Sequence, residues 1–265
     1  MRDTFNREIN YLRISVTDLC NMRCVYCMPE EGVKLIPHNE ILSFEEIIDF
    51  VKIAVANGID KIRLTGGEPL VKRDIISLVA MLGKIKGIKD FAMTSNGSLL
   101  EKYAQPLKDA GLHRINISLD TLDENTFSEL TRGANLNDVL NGIKKALKVG
   151  LYPVKLNCVI HESPDEKDAE EVTKFAEKYG CKIRYIRRMN IEDGKFWPVL
   201  GGDGGHCKIC NRLRLSSSGI LYPCLFSDKS YSIRELGYEN ALRQAINEKP
   251  ESGHKSKNKF YNLGG

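Results

Sequence analysis

Tyr11-Leu-Arg-Ile-Ser-Val16-Thr-Asp-Leu-Cys20-Asn-Met-Arg-Cys24-Val-Tyr-Cys27 is the run that decides how the rest of the chain is read. Leu12, Ile14 and Val16 alternate with Tyr11, Arg13 and Ser15, the period of a strand. A Cys-x3-Cys-x2-Cys loop follows. Three thiolates on one loop can hold three corners of a cubane 4Fe–4S cluster, leaving the fourth iron open to an outside molecule. Ferredoxin-type carriers hold their clusters with four cysteines, so an open corner separates a catalyst from a carrier. Zinc is the plainer reading, but structural zinc wants four ligands, typically paired CxxC or CxxC with histidine. Disulfides fit worse, since three neighbouring cysteines leave one unpaired.

Outward from that loop, residues 43–188 repeat one theme: a helix, a glycine stop, an apolar residue, a short strand. The stops are Gly58, Gly87, Gly111, Gly150 and Gly180, placed where a left-handed helix cap is needed. The strands expected after them are Lys61–Thr65, Phe91–Ser95, Arg114–Leu119, Val154–Ile160 and Lys182–Met189; with Tyr11–Val16 they make six. Ser43-Phe-Glu-Glu46 is a capping box, and Ile47, Ile48, Val51 and Val55 mark one apolar helix face; Val139, Ile143, Ala146 and Leu147 mark another. The alternation predicts α/β architecture with right-handed crossovers, a partial (βα)6 TIM-type barrel open along one side. A doubly wound sheet would produce the same pattern. In a barrel the polar loops gather at the C-terminal ends of the strands. There the cysteine loop would meet Gly66-Gly67-Glu68-Pro69, Asn96-Gly97 and Asp120. The expected division is a barrel over residues 1–189 and a C-terminal cysteine-bearing region over 190–265.

A hydrophobic fraction of 42% and a charged fraction of 28% suit a soluble globular protein. No apolar run reaches the ~18 residues of a membrane span. The Met-Arg-Asp-Thr-Phe start has no apolar signal core, so a cytoplasmic location is expected. A net charge of +4, spread along the chain, is too weak a footprint for nucleic acid. Eight cysteines in a reducing compartment point to metal before disulfides. Cys158 and Cys181 read as packing residues.

A second trio, Cys207-Lys-Ile-Cys210 and Cys224, again leaves room for an open iron. A zinc knuckle completed by His206 is its alternative, although adjacent residues seldom reach one ion together. No GxxxxGK[ST] loop exists to cradle a triphosphate, so discrete cations would have to do it. Arg13, Lys61, Arg63, Lys155, Arg184, Arg212 and Arg214 are available, several within strands. Alternation puts Lys61, Arg63 and Thr65 on one face, toward either the lumen or the helices. Cations inside a barrel call for an anion.

These motifs together resemble the radical S-adenosylmethionine (SAM) enzymes: CxxxCxxC after the first strand, Tyr26 beside the third cysteine, and Gly66-Gly67-Glu68-Pro69. Leu12–Asp18, Cys27-Met28-Pro29 and Asn211-Arg-Leu-Arg-Leu215…Gly219…Cys224-Leu-Phe226 are similar to the GTP 3′,8-cyclases of molybdenum cofactor biosynthesis. The resemblance implies the radical SAM partial barrel, two 4Fe–4S clusters on Cys20/Cys24/Cys27 and Cys207/Cys210/Cys224, and SAM as cofactor. It places Tyr26, Gly67, Glu68, Ser118 and Met189 at SAM. It places Arg13, Arg63, Thr94, Lys155 and Arg212–Arg214 at GTP, with Lys61 and Arg184 as further cations. The Gly264-Gly265 tail, as in that family, would thread into the active site and assist catalysis. Expected partners are GTP, an electron donor such as flavodoxin or ferredoxin, and a second copy in a homodimer.

The chain departs from that family in two places. Asn190–His206 is a short, glycine-rich bridge holding the sole tryptophan, Trp197, where the family has a much longer insertion. Arg187 and Arg188 stand where the family usually has Glu and an aromatic. A shorter bridge would suit a bulkier guest, so a peptide or another small molecule is the rival substrate. A non-catalytic iron–sulfur electron-transfer protein is the reading from outside enzymology.

Overall fold

The computed structural model describes residues 1–263. Six parallel strands come first: β1 (Tyr11–Ser15), β2 (Lys61–Thr65), β3 (Asp90–Ser95), β4 (Arg114–Ser118), β5 (Lys155–Ile160) and β6 (Lys182–Arg187). The helices between them are α1 (Phe44–Ala56), α2 (Ile75–Gly83), α3 (Leu100–Asp109), α4 (Glu124–Thr131), α5 (Leu136–Lys148) and α6 (Lys167–Tyr179). Their glycine stops have positive φ, from 68° at Gly180 to 102° at Gly87. Each strand lies beside its sequence neighbour, in the order β6-β5-β4-β3-β2-β1. A doubly wound sheet reverses direction partway along; this one does not, so it winds as a barrel wall.

Beyond β1 the wall continues. β7 (Arg212–Leu215) pairs parallel with β1, while β8 (Ile220–Tyr222) and β9 (Tyr231–Ser232) follow antiparallel. The C-terminal region thus extends the same sheet. It also carries α7 (Ile233–Leu236), α8 (Tyr238–Asn247) and α9 (Phe260–Leu263). The barrel stays open between β6 and β9. Along the β6 edge a single antiparallel bridge, Tyr185 to Leu200, brings in the short 190–206 segment.

Burial explains which way the strands face. Leu12, Ile14, Ile62, Leu64, Phe91 and Met93 are all at or below 1% exposure and join the helices in one core. α1 begins at the expected capping box, Ser43 Oγ accepting from Glu46 N and Glu46 Oε2 from Ser43 N. It buries Ile47, Ile48, Phe50, Val51 and Ala54 against the sheet. Because these alternate positions face the helices, Arg13, Arg63 and Arg214 point into the lumen. A second, smaller core of Ile191, Leu225, Phe226 and Leu263 packs beside the second cysteine trio.

Candidate active site

The cysteine loop is fastened at both ends. Gly67 N donates to Thr17 O (2.8 Å) and Glu68 N to Leu19 O (2.8 Å), tying the turn after β2 to the start of the loop. A Cβ on Gly67 would sit 2.3 Å from Leu19 O, so the close approach itself demands glycine. Farther along, Arg23 N and Val25 N donate to Thr131 O and Leu130 O at the end of α4. Arg132 closes the clasp through Nη1 to Arg23 O (2.6 Å) and Met28 O (3.0 Å).

Glu68 is fully buried and its carboxylate is already engaged. It accepts from Leu70 N (3.0 Å), Ser95 Oγ (2.8 Å) and Asn96 N (2.6 Å). Burial nevertheless pushes it up to about 7 against those three bonds. Glu68 thereby locks the β2 turn to the end of β3, and Asn96 Nδ2 reaches Cys20 Sγ at 3.7 Å. Tyr26 O–H donates to Asp120 Oδ2 (2.6 Å), which sets the phenol after β4. Ser118 ends β4 on the lumen side, opposite Asn157.

Cys20, Cys24 and Cys27 are partly buried and close enough to act on one another. Burial first, then the neighbouring thiols, lifts Cys24 to about 12; burial and Cys20 do the same to Cys27. Such thiols stay protonated until metal takes the proton. Among the described residues no three His, Cys, Asp or Glu converge tightly enough to hold a single metal ion. A cubane takes one thiolate per iron, so its ligands stand spread around a cube. The trio's donor chemistry fits that group.

Cys207, Cys210 and Cys224 line a cleft together with Arg13, Arg63, Thr94, Arg184, Arg212 and Arg214. Cys27, Tyr26 and Met28 line the adjoining one. Met189 and Trp197 border both, so the second trio and Cys27 of the first open onto neighbouring clefts that meet at these side chains. The Arg187 guanidinium lies 4.3 Å from the Trp197 ring centroid. The short bridge therefore supplies part of the wall, with Phe196 stacked on Phe226 at 4.5 Å.

The lumen is strongly cationic. Arg13, Arg63 and Arg214 are 8%, 7% and 9% exposed, and strand register sets Arg13 directly beside both others. Burial, then Arg214, holds Arg13 well below its usual value. Burial lowers Arg63 to about 10 and Arg214 to about 10, with Arg114 and Arg184 adding to the first and Arg212 to the second. Lys155 falls to about 8 through burial and then Arg184, Arg114 and Arg63. Asp90 is held by Arg114 at 2.8 and 2.5 Å and so offsets little of this. Among the described residues Arg63 Nε, Thr94 Oγ1, Asn116 Nδ2 and the Tyr11 hydroxyl are buried with no hydrogen-bond partner. Cations in excess beside unspent donors fit a polyanion.

Two of the expected cations, Lys61 and Lys155, stand back from the cleft walls. Lys61 opens β2, level with Tyr11 and Asp90, and does not line either cleft. Lys155 starts β5 and meets the cluster through its charge rather than as wall. Gly264 and Gly265 lie outside the described residues; just before them, Leu263 O accepts from Arg214 Nη1 at 2.9 Å. Asn157 and Lys249 also line the cleft and had no motif to reveal them, although strand alternation groups Asn157 with Lys155 on one face of β5.

The chain belongs to the radical SAM superfamily, whose family model matches residues 14–176. The fold agrees: Streptococcus suis SuiB bound to its precursor peptide SuiA superposes with a TM-score of 0.68 at 14% identity, covering 92% of this chain and 66% of that one. anSMEcpe with bound AdoMet and a Cp18Cys peptide gives 0.59 at 16%, covering 91% and 80%. Within the superfamily the chain is a member of the GTP 3′,8-cyclase family. It is 42% identical to the GTP 3′,8-cyclase of Thermodesulfovibrio yellowstonii, covering 94% of this chain and 91% of the relative. It is 38% identical to that of Clostridium botulinum strain Hall, covering both chains completely. The first alignment runs over 294 positions although this chain has only 265 residues, so that relative carries residues absent here.

Proposed function

We propose that this protein is a radical SAM enzyme that cyclises GTP to 3′,8-cyclo-7,8-dihydro-GTP in molybdenum cofactor biosynthesis. SAM and two 4Fe–4S clusters are its cofactors. Held by Cys20, Cys24 and Cys27 and reduced, the first cluster would supply the one-electron cleavage of SAM that starts hydrogen abstraction from the ribose. The observation that carries the substrate is the lumen: buried Arg13, Arg63 and Arg214 stand beside the second trio and one cleft away from the first.

The residues divide the work by position. Cys20, Cys24 and Cys27 hold the first cluster, and the Gly67 turn with Tyr26, Ser118 and Met189 seats SAM beside it. Cys207, Cys210 and Cys224 hold the second. Arg13, Arg63, Arg184, Arg212 and Arg214 with Thr94 receive the triphosphate, and Lys155 adds its field. Fixing both reactants at adjoining clefts converts an encounter into an intramolecular step, and the walls keep water away. Met189 and Trp197 stand where donor and acceptor would meet. A one-electron donor such as flavodoxin or ferredoxin reduces the first cluster, and the enzyme acts as a homodimer in the cytoplasm; among the described residues no helix is long and apolar enough to cross a membrane.

The test is direct. Anaerobically reconstituted, reduced protein is incubated with SAM, with and without GTP, and 5′-deoxyadenosine is measured. GTP should stimulate its formation and yield the cyclised nucleotide. Indifference to GTP would reject the substrate, and no SAM cleavage with both clusters present would reject the enzyme.

A further inference from the structure

Lys249, just past α8, is a buried ammonium in a wall where charge is costly. It is 2% exposed, and its Nζ donates to Arg212 O (2.8 Å) and Pro223 O (2.5 Å). These carbonyls sit on the two segments that deliver cysteines: Arg212 is two residues past Cys210, and Pro223 directly precedes Cys224. An ammonium has three donors. Two are spent on these carbonyls, and the side chain also borders the cleft lined by Cys207, Cys210 and Cys224.

Neighbouring Arg7 makes the contrast. It too is buried and grips this region, donating to Cys207 O (2.8 Å), Glu251 O (2.9 Å) and Pro250 O (2.7 Å). Arg7 has its own counter-ion, Asp3, at 2.6 Å. Among the described residues Lys249 forms no ion pair. Two carbonyls engage two of its three hydrogens but leave its charge unbalanced, and an unbalanced buried charge is expensive. The cleft that Lys249 borders is lined by Cys207, Cys210 and Cys224, the groups able to carry the opposite charge.

We propose that Lys249 is a positioning residue for the iron–sulfur centre of the second trio, supplying its counter-charge and fixing the spacing of Cys210 and Cys224. This rests on the reading that Cys207, Cys210 and Cys224 hold such a centre. A cation beside a cluster favours its reduced, more negative state, and charge and hydrogen bonding near the sulfurs set its potential. Lys249 would thereby tune the centre against which the substrate is held.

The experiment uses the full chain, reconstituted anaerobically, with iron and sulfide counts and a redox titration followed by electron paramagnetic resonance. Lys249→Gln removes the charge and keeps a donor; Lys249→Arg keeps the charge. The Gln variant should move the second centre's midpoint to a more negative potential and leave the first in place, while Arg stays near the parent. A Gln variant that loses iron while Arg retains it supports the same role. An unmoved midpoint in Lys249→Gln overturns it. So do Gln and Arg variants that shift, or lose iron, alike, because packing rather than charge would then be responsible. A Cys207/Cys210/Cys224→Ala variant run in parallel separates the two ideas. If it keeps the parent's iron content of about eight per chain, the trio holds no centre; if it loses half, only the Lys249 proposal is at stake.

Discussion

Replacing Arg63 by methionine should stabilise the empty protein and weaken its hold on nucleotide. Arg63 is buried, its Nε has no hydrogen-bond partner among the described residues, and its surroundings are mostly cationic. Its pKa falls from its usual range above 12 to about 10. At about 1.4 kcal/mol per pKa unit, this places about 3 kcal/mol against the charged form. Because the folded value is the depressed one, the cost is fully present at neutral pH and fades only as pH rises through about 10. Methionine fills similar space without charge. It gives up the stacking on Tyr11, where the guanidinium lies 5.3 Å from the ring centroid, a loss of about 1 kcal/mol. The net expectation is a gain of about 1–2 kcal/mol, in line with buried ions replaced by apolar residues. In a chain of this size that raises the thermal midpoint by about 2–8 °C. Nucleotide binding should move the other way, losing a charge-assisted bond worth about 1.5–3 kcal/mol, or about 10- to 150-fold in Kd. Thermal unfolding of ligand-free protein and equilibrium titration with GTP measure both. A lower midpoint with unchanged GTP affinity would refute the idea that the lumen cations await an anion.

Lys155, at about 8, should make GTP binding pH-dependent: affinity falls as pH rises from about 7 to 9, because the neutral amine must regain a proton to meet the triphosphate. Lys155→Arg should flatten that slope in a titration series. Glu68→Gln should cost about 1–3 kcal/mol in chemical denaturation, since one amide N–H₂ would face a backbone N–H donor, Asn96 N or Leu70 N. A neutral result would show that the three bonds do not require a carboxylate. Cys24→Ser should abolish SAM cleavage. Arg212→Ala should retain uncoupled SAM cleavage and lose nucleotide turnover; normal turnover, read by product analysis, would remove Arg212 from the triphosphate site.

Much of the barrel was legible because its signals are local. A glycine after each helix, an apolar stripe along it and a short strand beyond fix element type and order, and the observed strands agree with the expected ones to within two residues. Lys61, Arg63 and Thr65 could be assigned to a shared face from alternation, but lumen and helix layer remained equivalent until Ile62 and Leu64 were seen packed against helices. What the Glu68 carboxylate bonds was not legible for a related reason. Its motif marks a turn near SAM, yet its side chain folds back onto Ser95 and Asn96, partners supplied by the next strand.

By itself the sequence determined two cysteine trios, the (βα) repeat that carries the first and the cations threaded through its strands, because each is written in spacing along the chain. Tertiary structure alone decided that β7 lies against β1, so that Arg214 meets Arg13 across two hundred residues of chain, and that Lys249 sits between Arg212 and Pro223. No local pattern encodes those meetings: they follow from which strands pair and from where a buried charge finds its compensation.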